Sequence, residues 1–185
     1  MKIRFISNNE YKINEAAAIL SPIGVEIVPA PIVIDEVQTS DVRKLVEDKL
    51  IKAFRAIGKP LFVEHTGLYI NYLNGFPAGL TEVFWSNLQA DKFAEIVGVL
   101  PDPTLVARTV LGYCDGRKFH FFEGEIAGRV PKAPMGSRDS QWDCVFIPDG
   151  ETQTFAELGA RKNEISMRRK ALDGFAEFLK EALAK

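Results

Sequence analysis

Cysteine and histidine are both scarce in this sequence. Only Cys114 and Cys144, and His65 and His120, occur among its 185 residues. Two cysteines thirty residues apart make neither a disulfide framework nor a close-spaced metal knuckle, so reduced thiols in or near the core are expected. No apolar run approaches the ~20 residues of a membrane-spanning helix. Residues 1–7 lead straight into a strand pattern with no apolar leader or cleavage site, so a signal peptide is not expected and the cytoplasm is the default location. Positive charge is not in excess: the formal net charge is −2. That removes the electrostatic case for nucleic acid or an anionic membrane as the main partner. Internal repeats and low-complexity segments are also missing.

The length fits a single domain spanning 1–185, or one domain with two lobes, with a sizeable core. Residues 2–6 read as a strand ending in the turn and capping cluster Ser7-Asn8-Asn9. A helix follows with Ile13, Ala16, Ala17 and Leu20 on one face, stopped by Pro22 and Gly24. Residues 25–28 read as a second strand. Asp41 caps a second helix whose apolar face runs through Val42, Leu45, Val46, Leu50 and Ala53, stopped by Gly58 and Pro60. Residues 61–64 are a buried strand that breaks off in Glu64-His65-Thr66-Gly67. This β-α-β-α-β opening predicts an α/β fold, and α/β proteins place chemistry at strand ends. Further on, Asp91 caps a helix carrying Phe93, Ile96, Val97 and Leu100. Strands over 104–114 and 117–126 are joined by the two-residue turn Asp115-Gly116. Residues 129–140 form a Pro- and Gly-containing loop, 142–147 a short strand, and the last helix starts near Ser166.

Several polar constellations stand out. Ser7-Asn8-Asn9-x-x-Lys12 sits where a strand meets a helix, and backbone N–H groups at a helix start attract anions. Without Walker glycines it reads either as a phosphate cradle or as plain capping. Lys162-Asn163-x-x-Ser166-x-Arg168 opens the last helix with basic residues that oppose the helix dipole, which fits anion binding as well as a solvated face. Trp142-Asp143 suits either a purine ring with its N–H groups or an ordinary core pair. Glu36, ahead of the second helix, is a surface acid or a Mg²⁺ ligand.

Taken in order, these motifs resemble the inosine triphosphate pyrophosphatase family, over about 2–183. Ser7-Asn8-Asn9-x-x-Lys12 matches its N-terminal phosphate motif. Glu36-x-Gln38 sits at its metal-binding Glu, Lys49 at a phosphate-reaching Lys, and Leu73-Asn74-Gly75-Phe76-Pro77 at the loop after its catalytic strand. Thr154-Phe155-Ala156-Glu157-Leu158 followed by Lys162-Asn163-x-x-Ser166-x-Arg168 is the most specific stretch. The resemblance implies an elongated mixed central sheet flanked by helices, with two lobes and a nucleotide cleft between them. It implies Mg²⁺-dependent hydrolysis of deaminated purine triphosphates (ITP, dITP, XTP) to monophosphate and pyrophosphate. It further implies substrate contacts from Ser7, Asn8, Asn9, Lys12, Lys49, Thr66, Trp142, Asp143, Lys162, Ser166 and Arg168, metal contacts from Glu36 and Glu64, and a homodimer.

The sequence departs from that pattern where the chemistry sits. The family's third strand ends in an acidic pair whose second member holds metal and serves as base; here His65 takes that place. A neutral imidazole accepts a proton but is a poor hard-cation ligand. Glu82 stands where a basic residue is common near the phosphates, Ser140 replaces the base-stacking Phe, and Met167 replaces a His. The surviving phosphate residues argue against a purely structural or interaction protein that no longer binds nucleotide, and two further functions stay open. One is a catalytically impaired sensor of deaminated purine triphosphates. Degenerate relatives of this kind occur in bacterial defence modules and control an NAD-consuming, sirtuin-like effector, so a heteromeric complex is the corresponding partner expectation. The other is an active pyrophosphatase with His65 as catalytic base. Phe84 and Trp85 are read either as interface residues or as core.

Overall fold

A computed structural model describes residues 1–184. In chain order it contains β1 (Lys2–Phe5), α1 (Glu10–Leu20), β2 (Glu26–Pro29), α2 (Val42–Ile57), β3 (Leu61–Ile70), β4 (Pro77–Ala78) and α3 (Thr81–Val97). These are followed by β5 (Thr104–Cys114), β6 (Phe119–Arg129), β7 (Ile147–Pro148), α4 (Phe155–Leu158), α5 (Lys162–Ile165) and α6 (Met167–Leu183). Seven strands form one mixed sheet in the order β2-β1-β3-β5-β6-β7, with β4 attached to β3. β1 runs parallel to β2 and β3, and every other pairing is antiparallel. No helix among the described residues is long and apolar enough to cross a membrane.

The helix caps follow the sequence. Asn9 and Asp41 accept from the backbone N–H groups of Lys12 and Lys44, Ser166 accepts from Arg169, and Gly58 closes α2 in the left-handed region. Each side chain satisfies an orphan donor of a first turn. Other expectations need correction. β5 and β6 are joined by four residues, 115–118, because the Asp115 carboxylate accepts from the N–H groups of both Arg117 and Lys118. Residues 141–145 form a 3₁₀ turn, and only Ile147–Pro148 pairs as strand. α3 begins at Thr81, ten residues before Asp91, with non-helical backbone at Gln89 that splits it into two segments. Trp85 is a core residue buried against Phe93, while Phe84 is half-buried, lying edge-on between Phe76 and Phe93.

Strand β3 does not stop at Glu64. It continues to Ile70, paired with β5 along its whole length. Its other edge is divided: β1 pairs with residues 61–62 and β4 with 68–69, leaving 63–67 between them without a strand partner. The mid-strand polar residues Glu64, His65 and Thr66 lie beside this gap and line the cleft described below.

Three apolar clusters surround this gap. One packs α1 and α6 on one face of the sheet around Phe62 and Leu111. The second packs α2 on the opposite face around Val63 and Val110. The third, formed by α3, residues 141–146 and Phe155, surrounds Leu68 and Ile70 at the far end of β3 and makes the second lobe. Cys114 and Cys144 are buried free thiols in two of these clusters, as expected.

Gly124 sets how closely α6 approaches the sheet. A Cβ there would lie 2.1 Å from the Met167 carbonyl oxygen and 2.7 Å from the Ala171 nitrogen, atoms that cannot rotate away. Gly124→Ala is expected to lower the unfolding free energy by about 1–3 kcal/mol, the range for overpacking a close contact. Urea denaturation measures it. An unchanged midpoint would show that α6 can lift off without penalty.

Candidate active site

A cleft of about 740 Å³ opens at the gap in β3 and is walled by both lobes. Asn9, Lys12 and Glu15 enter it from α1, Glu36 from the extended segment before α2, and Lys49 from α2. Glu64, His65 and Thr66 form its floor. Glu82, Gln141, Trp142, Asp143, Lys162, Met167 and Arg168 line it from α3 onward.

Strand alternation sends Glu64 and His65 to opposite faces. Glu64 pairs with Leu111 of the α1/α6 face, and His65 with Val110 of the α2 face. Glu64 is buried and doubly paired: Lys12 Nζ lies 2.6 Å from Oε1, and Arg168 Nε donates to Oε2 at 2.9 Å. Arg168 also donates from a terminal guanidinium nitrogen to Glu15 Oε2 at 3.1 Å, and the Ser166 hydroxyl donates to Glu15 Oε1 at 3.3 Å. Burial would raise the Glu64 carboxyl, but Arg168 and Lys12 more than reverse that and hold it well below the usual carboxylate range. Two carboxylates and their own burial shape the Arg168 guanidinium. Burial works to lower its pKa, while Glu64 and Glu15 together keep it firmly charged.

On the other face, Lys49 is paired with Glu36. His65 Nδ1 lies 3.8 Å from Glu36 Oε2, beyond hydrogen-bond range, and its buried Nε2 has no protein partner. Burial pushes the imidazole below its ordinary value, against the upward pull of Glu36, so His65 is neutral at pH 7. Thr66 shares a 2.7 Å hydroxyl contact with the buried Thr109. Across the cleft, Lys162 is paired with the buried Asp143, and Gln141 donates to Glu82 at 3.0 Å.

The structure sorts the candidates read from sequence. It brings Asn9, Lys12, Glu36, Lys49, Glu64, His65, Thr66, Trp142, Asp143, Lys162 and Arg168 to one cleft. Ser7 and Asn8 do not line it; the Ser7 hydroxyl accepts from the Asn9 N–H instead. Ser166 is completely buried, occupied by Glu15 and by capping α6. Trp142 reaches the cleft but is largely buried against Phe146 and Phe155. Glu15 was missed. Three residues beyond Lys12 on α1, it reads in sequence as a surface acid, and only the docking of α6 buries it. Glu36 and Glu64 approach β3 from opposite faces, each already paired with lysine or arginine, and no group of three or more His, Cys, Asp or Glu among the described residues is arranged to hold a metal ion.

The model of the Ham1 family matches residues 3–178. This chain belongs to the Ham1 family. It is 33% identical over 186 aligned positions to the dITP/XTP pyrophosphatase of Methanopyrus kandleri, covering all of this chain and 99% of that one. It is 30% identical to the inosine triphosphate pyrophosphatase of Yarrowia lipolytica, over 98% of this chain and 97% of the other. Among solved structures, a Ham1 protein from Coxiella burnetii superposes with a TM-score of 0.82 at 23% identity, covering 98% of this chain and 99% of that one. The Staphylococcus aureus Ham1 protein superposes at 0.81, with 22% identity, 98% coverage of this chain and 100% of that one. The resemblance read from the motifs thus holds for family and for fold.

The buried pairs carry a pH signature. An unfolded Glu titrates near ~4.3, and Glu64 lies below that when folded. Its contribution is therefore complete above about pH 4.5 and is lost as the pH falls towards the folded value. Glu64→Gln is expected to cost about 3 kcal/mol at pH 7, as for a broken buried pair, and to flatten the loss of stability on acidification. Denaturant titrations at pH 7 and below pH 4.5 measure both. Equal acid sensitivity in the variant and the parent would assign that sensitivity to other groups.

Proposed function

We propose that the cleft binds deaminated purine nucleoside triphosphates of the dITP, ITP and XTP class, and that it hydrolyses them slowly. Binding is supported by Lys12, Lys49, Lys162 and Arg168 converging on one cavity of nucleotide size. It is further supported by full-length relatives named for dITP and XTP. In this reading the phosphates lie over Asn9, Lys12 and Lys49 at the start of α1, where free N–H groups favour anions. The base lies towards Trp142, Asp143 and Lys162.

Impaired turnover rests on one observation, the division of labour at Glu64-His65. A general base must be near its proton and correctly oriented. Glu64 faces α1 and α6, with both carboxylate oxygens held by cations. His65 faces α2, neutral and with no hydrogen bond to fix its tautomer. Neither is set to activate water, and a missing base alone removes about 10²–10⁴-fold in rate. A protein that keeps its triphosphate intact suits a sensor subunit, and control of an NAD-consuming effector in bacterial defence is the role proposed for it. The partner arrangement proposed is a homodimer, with a heteromeric complex with that effector as the alternative.

An active pyrophosphatase is the second reading. It is favoured by the 33% identity over the whole chain to a dITP/XTP pyrophosphatase. In that case His65, the one uncommitted base on the cleft floor, takes the proton of the attacking water.

Pyrophosphate release separates the two. With saturating dITP, ITP or XTP, turnover is expected at least about 10²-fold below ordinary enzyme rates of ~10 s⁻¹. Turnover at the ordinary rate selects the enzyme reading. Thermal melting reports binding independently: dITP at about 100 times its Kd is expected to raise Tm by roughly 5–10 °C. No shift with any of the three nucleotides would overturn nucleotide binding altogether. His65→Asp is expected to raise pyrophosphate release by about tenfold or more, since it restores a carboxylate base. A fall in rate would make His65 the working base.

A further inference from the structure

The cleft contains its own counter-ions. Glu64 is held by Lys12 at 2.6 Å and Arg168 at 2.9 Å, Glu36 by Lys49, and Asp143 by Lys162. The cations in contact with Glu64 and Glu36 stand where a divalent ion would have to bind those carboxylates. We propose that the ligand-free protein has no divalent-cation site, because its own lysines and arginine occupy the carboxylates that would form one.

Three facts support this. Glu36 and Glu64 lie on opposite faces of β3, since Glu36 contacts residues of the α2 face and Glu64 those of α1 and α6. One ion cannot readily bridge them while the strand keeps its register with β5. Second, displacing Lys12 or Arg168 from Glu64 would leave a cation uncompensated in a largely buried setting, which is the expensive way to break an ion pair. Third, Mg²⁺ sheds water reluctantly and needs near-octahedral oxygen donors, and a single paired carboxylate offers neither the number nor the charge. Any divalent ion in this cleft must therefore arrive as the companion of an anion that takes over the cations. That consequence rests on the nucleotide reading; the absence of a site in the free protein does not.

Removing one of these cations would create a site. Glu36 Oε2 and His65 Nδ1 are 3.8 Å apart, and Lys49 holds the same carboxylate. With Lys49 neutralised, Glu36 and His65 become a carboxylate–imidazole pair of the type that ligates Mn²⁺.

Titration of the free protein with Mn²⁺, followed by loss of the free-ion electron paramagnetic resonance signal, tests this without any nucleotide. The parent is expected to show no saturable site below about 1 mM, the weak end of cation affinities in proteins. Lys49→Gln is expected to gain a site at least about tenfold tighter, and Lys49→Gln combined with Glu36→Gln to lose it again. Circular dichroism checks that each variant is folded. Should Lys49→Gln fail to fold, Lys12→Gln, which frees a Glu64 oxygen from a partly exposed partner, is titrated in its place with Glu64→Gln as the reversal. Saturable micromolar binding by the parent, abolished by Glu36→Gln or Glu64→Gln, would overturn the proposal. So would a folded lysine variant with no gain in Mn²⁺ affinity.

Discussion

One buried carboxylate organises this protein. Glu64 projects from the middle of β3 into the space between α1 and α6, and it can stay ionised there only because Lys12 and Arg168 meet it. Those two cations come from helices near opposite ends of the chain. Arg168 in turn needs Glu15, and Glu15 also takes the hydroxyl of Ser166, the cap of α6. A single charge placed in mid-sheet thus fixes the start of α6 against α1. Glu64, Arg168, Glu15 and Ser166 are nearly inaccessible and Lys12 is partly exposed, so an unpaired member of the buried set would carry an uncompensated desolvation penalty.

The cleft exists because the sheet is incomplete on one edge of β3. β1 leaves it after Phe62, β4 rejoins it at Leu68, and the residues between lack a strand partner on that side. On the opposite edge β5 holds the register over all ten residues, so the floor does not sag. Chain from both lobes then crosses the opening. The result is a cavity whose polar lining is internally neutralised before any ligand arrives. In the proposed nucleotide-binding reading, an entering triphosphate would exchange partners, its oxygens replacing carboxylates on lysines already in place.

Much of this was legible in the sequence for local reasons. Helix starts at Asn9, Asp41 and Ser166 are fixed by side chains that reach their own backbone, and the stop at Gly58 by a left-handed residue, so no distant information is needed. Family membership was legible because motifs occur in order and at fixed separations. What misled was equally local. Glu64-His65-Thr66 looked like a strand terminus because polar residues usually end buried strands, and nothing nearby reveals that β5 continues beneath them. Asp115-Gly116 has the letters of a two-residue turn, but the Asp115 carboxylate gathers two backbone donors and sets a four-residue loop instead.

The sequence by itself determined the α/β class, the caps, the reduced thiols and the set of charged residues available to the cleft, all of which depend on pattern and composition. Only the tertiary structure decided which charges neutralise which. Glu15 became a buried partner of Arg168, Ser166 became a cap sealed away from the cleft, and Glu36, on the segment before α2, came to the face of β3 opposite Glu64. The reason is that pairing depends on burial and on which face of a strand a side chain leaves. Both are set when β3 takes its register on β5 and the helices dock, more than 100 residues apart in the case of Glu64 and Arg168.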